Sequence, residues 1–272
     1  MANGSAQTLN QEILINQKHN VMESQHIHTK TESLEGKRIL ITGGTTGIGR
    51  ATAILLGSYG AKIFTLGRHQ EQLDEALTQI RQAGGQAEGI LADMSKQADI
   101  ERVFQQADQT LGGLDILINN AALAAEGIGE METEDWRYAL ETNMLGYIGC
   151  TKEAVTRMQQ QQKGHIVFIG SMSAVGREAG SSVYVATKTG IQGFAESLRK
   201  EVNELGIKVS LIEPGKVKAD IHGTSADEQE EEIAKEQMLL AEDIAVAVHY
   251  ILTQPHRCDV VGLQIRPHKQ AI

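Results

Sequence analysis

Cysteine is scarce in this chain: Cys150 and Cys258 are the only two. Neither has a metal-ligand neighbour, so neither a disulfide scaffold nor a thiolate metal site is expected, and a reducing, cytoplasmic setting is the simple inference. Proline occurs three times, against 28 glycines, which fits long helices punctuated by tight glycine turns. No apolar run approaches the roughly 18 residues of a membrane span. Basic residues are outnumbered, 25 to 35, giving a net charge of −10. Such a surface repels polyanions, so neither a nucleic-acid partner nor an anionic membrane surface is expected.

The first 35 residues lack a hydrophobic signal core, and they contain no Arg, which argues against a mitochondrial transit peptide. His19, His26 and His28 are a thin hint of metal binding in this leader. The plainer reading is a flexible or lightly packed tail, and packing on a neighbouring subunit is a third. Residues 1–35 are therefore expected to form a polar extension. Residues 36–272, free of repeats, are expected to form one domain. Hydrophobic residues are 41% and charged residues 22%, as in an ordinary globular protein.

From Lys37 onward, short apolar runs alternate with helical patterns. Strands are expected at Arg38–Thr42, Ile63–Leu66, Ala87–Leu91, Leu114–Ile118, Gly164–Ile169, Lys208–Ile212 and Val260–Ile265. Helices are expected from the glycine turn to about Tyr59, over Glu71–Ala83, about Lys96–Thr110, about Asn143–Gln160 and from Tyr184 to about Leu205. Nearly all-apolar strands alternating with helices indicate a parallel sheet covered on both faces. The expected fold is a doubly wound, Rossmann-type α/β sheet of seven strands with right-handed crossovers.

After the first strand the chain reads Thr42-Gly43-Gly44-Thr45-Thr46-Gly47-Ile48-Gly49. Glycines between a strand and a helix let the backbone approach a pyrophosphate, and the helix N-terminus offers free N–H groups. The spacing Gly-x-x-x-Gly-x-Gly differs from the common dinucleotide fingerprint. The second strand ends Thr65-Leu66-Gly67-Arg68-His69. An acid there would hold the ribose hydroxyls of NAD, whereas an Arg accepts a 2′-phosphate. Arg68 without an acid favours NADP(H) over NAD(H).

Downstream, Tyr184 and Lys188 are spaced i and i+4, hence on one helix face. Free tyrosine titrates near pH ~10, too high for proton transfer at neutrality. An ammonium beside it is expected to lower that pKa. Ser171 precedes the pair by 13 residues.

Taken in order, these motifs resemble the short-chain dehydrogenase/reductase family, single-domain branch, from about Leu34 to the C-terminus. The resemblance rests on the glycine turn, Asp93, Asn119-Asn120-Ala121, Asn143, Ser171, Tyr184-x-x-x-Lys188 and Pro214-Gly215. It implies hydride transfer between nicotinamide and a carbonyl or secondary alcohol. Tyr184 would be the general acid or base at the substrate oxygen. Lys188 would tune it and hold the nicotinamide ribose. Ser171 would polarise the substrate oxygen, and Asn143 would hold a water linking Lys188 to solvent. Gly43, Thr45, Thr46, Gly47, Ile48 and Gly49 would form the cofactor turn, with Arg68 beside it. Asp93 would contact adenine, with Met94 among the cofactor residues. Asn120 and Ala121 would line the adenosine ribose. Pro214 and Gly215 would border the nicotinamide, and the backbone of Val217 would meet its carboxamide. The family also implies a homotetramer or homodimer. Two positions depart from it: Ala122 stands where Gly is usual, and Ala219 where Thr is frequent.

Residues 219–238 are the expected substrate lid. Their acids Asp227, Glu228, Glu230, Glu231 and Glu232 read as a solvated helix face, and as a lid they would discourage an acidic carrier protein. Arg177 is either a rim cation or a reader of a substrate carboxylate. The run Leu263-Gln264-Ile265-Arg266-Pro267-His268 is similar to members acting on small 3-hydroxy acids and alcohols. A 3-oxoacyl-thioester reductase is the alternative substrate class. A catalytically silent NADP(H)-binding sensor or scaffold is the alternative function. No His/Asp/Glu/Cys cluster has ligand spacing, so no metal is expected.

Overall fold

A computed structural model describes residues 30–218 and 225–270. His19, His26 and His28 of the leader, Ala219 and the first part of the expected lid lie outside the described residues. Seven strands form one fully parallel sheet in the order β3-β2-β1-β4-β5-β6-β7. They are β1 Arg38–Ile41, β2 Lys62–Gly67, β3 Gln86–Leu91, β4 Ile116–Asn119, β5 Gly164–Ile169, β6 Ile207–Pro214 and β7 Gly262–Ile265. The helices are α1 Gly47–Ser58, α2 Gln70–Gln82, α3 Gln97–Leu111, α4 Thr133–Leu140, α5 Gly146–Gln161, α6 Ser173–Gly176, α7 Ser182–Val202, α8 Ala226–Ala234 and α9 Ala241–Leu252.

The strands are apolar throughout because both faces are buried. Alternate residues feed two separate cores. Leu40, Phe64, Leu117 and Phe168 point to one, under α3, α5 and α7. Ile39, Ile63, Ile118 and Val167 point to the other, under α1, α2 and α9. Fully burying each such side chain stabilises by about 1.5–3 kcal/mol. Strand order reverses between β1 and β4, which are directly paired, Ile39 with Ile116 and Ile41 with Ile118. Ligands bind outside the carboxyl ends of strands at such a switch point.

Three features differ from the expected pattern. Leu34, within the expected extension, is 3% exposed, and Glu32 N–H donates to Thr253 O at 2.9 Å, so the chain joins the domain before residue 36. α4 precedes the expected start of the long helix, and residues Glu141–Leu145 form a π-helical turn that joins it to α5. Only Ala139 of α4 is buried, too little apolar surface for a helical stripe to show in sequence. α9 lies where no element was expected. Its Ile244, Val248 and Ile251 complete the second core.

Candidate active site

The glycine turn sits where β1 ends. Gly43 has φ +66°, in the left-handed region, and a Cβ on it would stand 2.8 Å from Ala121 Cα. This is close backbone approach between the β1 and β4 exits. The Thr42 hydroxyl oxygen accepts from Asn120 N–H at 2.9 Å and Ala121 N–H at 3.0 Å. The Asn120 amide donates to Thr42 O and Gly43 O, both at 3.0 Å. Asn120 therefore holds the turn itself. Gly49 does not face the cavity described below. A Cβ on it would overlap the Gly43 carbonyl oxygen and the Asn120 amide nitrogen. Gly49→Ala should therefore destabilise by about 1–3 kcal/mol, the usual cost of overpacking. Thermal unfolding checks this, and an unchanged melting temperature refutes it.

A cavity of about 620 Å³ opens along the strand ends, within the usual range for small-molecule sites. Its wall contains Gly43, Thr45, Thr46, Gly47 and Ile48 of the turn, and Asn120 and Ala121 opposite. One end carries Arg68, His69, Asp93 and Met94. The other carries Ser171, Tyr184 and Lys188, flanked by Pro214, Gly215 and Val217. Ala122 lines the wall too. Among the described non-glycine residues, positive φ occurs at Gln162, Arg177 and Glu236, so Ala122 does not need the left-handed backbone that glycine favours.

Tyr184 and Lys188 lie in the first two turns of α7. The helix buries Lys188, Ile191, Ala195, Leu198 and Val202, so Lys188 begins the stripe that packs on the sheet. Its ammonium, 2% exposed, donates to Ile169 O at 3.0 Å. It lies 5.5 Å from the Tyr184 ring centroid and 5.4 Å from that of Tyr147. Burial lowers the Lys188 pKa to about 8. Burial also raises that of Tyr184, against a smaller downward pull from its hydrogen bond with Ser171. The direction is opposite to the lowering expected from the Tyr–Lys pair alone. The ammonium bonds the strand-end carbonyl, and desolvation dominates at the phenol. Tyr184 thus holds its proton, as a donor to a carbonyl oxygen must.

Asn143 sits in the π-helical turn, fully buried and away from the cavity wall. Its carbonyl oxygen accepts from Leu123 N–H at 2.7 Å, and its amide donates to Leu123 O at 2.8 Å. π-turns frequently mark functional sites. Here the turn aims Asn143 at the loop after β4 and clamps it.

The cavity wall also contains polar residues that were not expected from sequence, among them Gln72, Glu126, Ser173 and Ser181. Glu126 and Ser181 lie at the Tyr184 end. Arg177 is absent from that wall; it is exposed, with φ +54°. Past β6, Val217 bridges to Leu239 in parallel: Leu239 N–H donates to Lys216 O at 2.9 Å and Lys218 N–H to Leu239 O at 2.8 Å. That pattern leaves the peptide groups of Val217 itself turned away from Leu239. The acidic run is a largely exposed helix face, as expected, and it is tied down by ion pairs. Glu232 pairs with Lys216 at 2.5 Å, Glu230 with Lys218, and Glu231 with Lys235 at 2.6 Å. Glu228 closes a capping box with Ser225 at the start of α8.

This geometry belongs to a known class. The short chain dehydrogenase family profile matches residues 37–230, and the chain belongs to that family. An uncharacterised oxidoreductase of Staphylococcus aureus strain MRSA252 is 32% identical over 235 residues, covering 86% of this chain and 98% of that protein. The 3-oxoacyl-[acyl-carrier-protein] reductase FabG of Escherichia coli K12 is 32% identical over 198 residues, 72% and 80% of the two chains. Among solved structures, a short chain dehydrogenase of Burkholderia cenocepacia in complex with NADP is 29% identical with TM-score 0.77, covering 87% of this chain and 98% of that one. An actinorhodin polyketide ketoreductase with NADPH is 27% identical with TM-score 0.77, covering 85% and 96%. The protein is a short-chain oxidoreductase with a Rossmann-type fold.

Proposed function

We propose that this protein is an NADP(H)-dependent oxidoreductase acting on a small carbonyl compound or the matching secondary alcohol. One observation carries the reading: a single cavity joins Arg68 at one end to Ser171, Tyr184 and Lys188 at the other. The residues fit the cofactor. The turn at Gly43 is too tight for a side chain against Ala121, and the β2 end offers a guanidinium and no carboxylate. NADP-bound relatives of similar fold support the choice. When bound, the cofactor supplies or accepts the hydride.

The chain's own groups do the rest. Ser171 donates a hydrogen bond to the substrate oxygen where negative charge grows. Tyr184 passes its proton to that oxygen in reduction and takes it back in oxidation. Lys188 steadies the phenolate left behind and holds the nicotinamide ribose. Asn143 contributes by clamping the Leu123 loop, and a water held beside it would connect Lys188 to solvent. Asp93 and Met94 receive the adenine, and the turned-out peptide of Val217 receives the carboxamide. Glu126 has no ion pair among the described residues, and Arg177 is off the wall. Both facts weigh against a 3-hydroxy acid and toward an uncharged substrate.

The Escherichia coli relative supports a 3-oxoacyl-thioester as the second reading. The net charge of −10 opposes docking of an acidic carrier. A silent sensor is disfavoured because Ser171, Tyr184 and Lys188 share one wall. A homotetramer or homodimer built on the long helices fits Leu145, which is 58% exposed at the start of α5. Two free cysteines fit a cytoplasmic setting.

The cofactor assignment is tested with Arg68→Ala. Loss of a charge-assisted contact of about 1.5–3 kcal/mol should raise the NADPH Michaelis constant by roughly tenfold or more. The constant for NADH should stay put. Equal values for mutant and wild type with NADPH would discard the assignment.

A further inference from the structure

Tyr138 on α4 stands behind the Arg68 end of the cavity. Its hydroxyl oxygen accepts from Arg68 Nη1 at 3.0 Å and donates to Asp93 Oδ2 at 3.1 Å. The other carboxylate oxygen of Asp93 accepts from Ser95 N–H at 3.0 Å and the Ser95 hydroxyl at 2.8 Å. Arg68 and Asp93 follow the ends of adjacent strands: Gly67 pairs with Leu91, and Ala92 N–H donates to Gly67 O at 3.0 Å. An exposed guanidinium and a carboxylate so placed have every reason to form an ion pair. None links them among the described residues.

We propose that Tyr138 is a positioning residue for cofactor selectivity: its hydroxyl holds Arg68 and Asp93 apart while bonding both, so that Arg68 keeps its charge for a 2′-phosphate. This rests on the NADP(H) reading above. A phenol is suited to the task. It gives its one proton to the carboxylate, which leaves its lone pairs for the guanidinium. Bonded to a neutral oxygen, the guanidinium is ordered yet uncompensated. Paired with Asp93 it would be ordered but neutralised. α4 is seated by Ala139 and Trp136, which pack in one cluster with Ala125, Val183 and Tyr184.

Tyr138→Phe keeps the ring and removes the hydroxyl. NADPH and NADH dissociation constants are measured by fluorescence titration for wild type, Tyr138→Phe, Arg68→Ala and the double variant. Tyr138→Phe should weaken NADPH about tenfold, the scale of one hydrogen bond to a charged group, and leave NADH within about twofold. In the Arg68→Ala background the same substitution should add nothing, since the coupling runs through Arg68. A wild type that prefers NADPH with an unaltered Tyr138→Phe overturns this proposal alone. Equal weakening of NADPH and NADH also overturns it, placing Tyr138 at the adenine that both share. A wild type without preference for NADPH removes the phosphate reading and this proposal together.

Discussion

Tyr184→Phe should lower turnover of a carbonyl substrate by about 10³-fold, within the range for a lost general acid. The substitution removes one oxygen from a half-buried side chain on α7. It leaves the ring packed near Trp136 and Met131 around the Ala125–Ala139–Val183 cluster. Lys188 keeps its bond to Ile169 O, and the glycine turn is untouched. NADPH affinity should therefore stay within about threefold while turnover collapses, a pattern that marks an interaction made only in the transition state. The direction of the Tyr184 pKa sharpens the expectation. Burial holds the phenol protonated, so at neutral pH nearly every molecule carries the proton that reduction consumes. Phe has none to give, and water in that position lacks the orientation that Ser171 imposes. The check is steady-state reduction over a panel of neutral ketones and aldehydes alongside a titration of bound NADPH. Retained turnover in the variant would hand catalysis to another group and refute the assignment of Tyr184.

Much of this site was readable from residue order because its parts are local. The turn from Thr42 to Gly49 is a strand, glycines and a helix in sequence, and the Tyr184–Lys188 spacing is itself the geometry. Arg68 was readable because it follows the end of the second strand, where a parallel sheet gathers its ligand contacts, whereas Asp93 came from the family resemblance alone. What was not readable depends on partners distant in sequence. Asn120 reads as a ribose contact, yet its amide spans to Thr42 O and Gly43 O across 78 and 77 residues. Asn143 reads as a water holder, and its clamp on Leu123 through a π-helical turn could not be read beside that role. One extra residue shifts the phase of a helical stripe, but α4 buries only Ala139, so there is no stripe before the turn against which the shift could be read. The acids of α8 read as solvated, and they are exposed, but two of their ion-pair partners, Lys216 and Lys218, lie across a chain reversal and were not readable. Tyr138 carries no signal at all. Only the approach of α4 to two strand ends gives its hydroxyl two charged neighbours. The Tyr184 pKa shows the same limit. Neighbour identity suggests an ammonium pulling it down, whereas burial, a property of the whole fold, decides the direction.

Lys188→Met should abolish activity and yet make the cofactor-free protein more stable. Lys188 is buried, and its pKa is lowered from 10.5 to about 8. That gap corresponds to a penalty on the charged form of roughly 3 kcal/mol at neutral pH. Among the described residues its one hydrogen bond goes to Ile169 O, which also accepts from the Tyr147 hydroxyl at 3.1 Å. Removing the ammonium therefore leaves no orphaned carbonyl. Methionine fills a similar volume without charge, so the exchange should gain about 1–3 kcal/mol after the lost cation–π contacts with Tyr147 and Tyr184 are counted. The sign with pH follows from linkage. Between about pH 8 and 10.5 the unfolded chain binds more protons at this lysine than the folded one. Wild-type stability contributed by this group therefore rises through that window, and the advantage of Lys188→Met should shrink as pH climbs from 7 to 10. Carbonyl reduction by wild type should decline as pH rises through about 8, where the ammonium is lost. Melting temperatures of both proteins across that pH range, with turnover measured in parallel, provide the check. A variant that melts below wild type at pH 7 would show that the ammonium is a structural brace. A variant that melts above it and turns nothing over would show that this fold gives up stability at Lys188 to keep a cation beside the reacting oxygen.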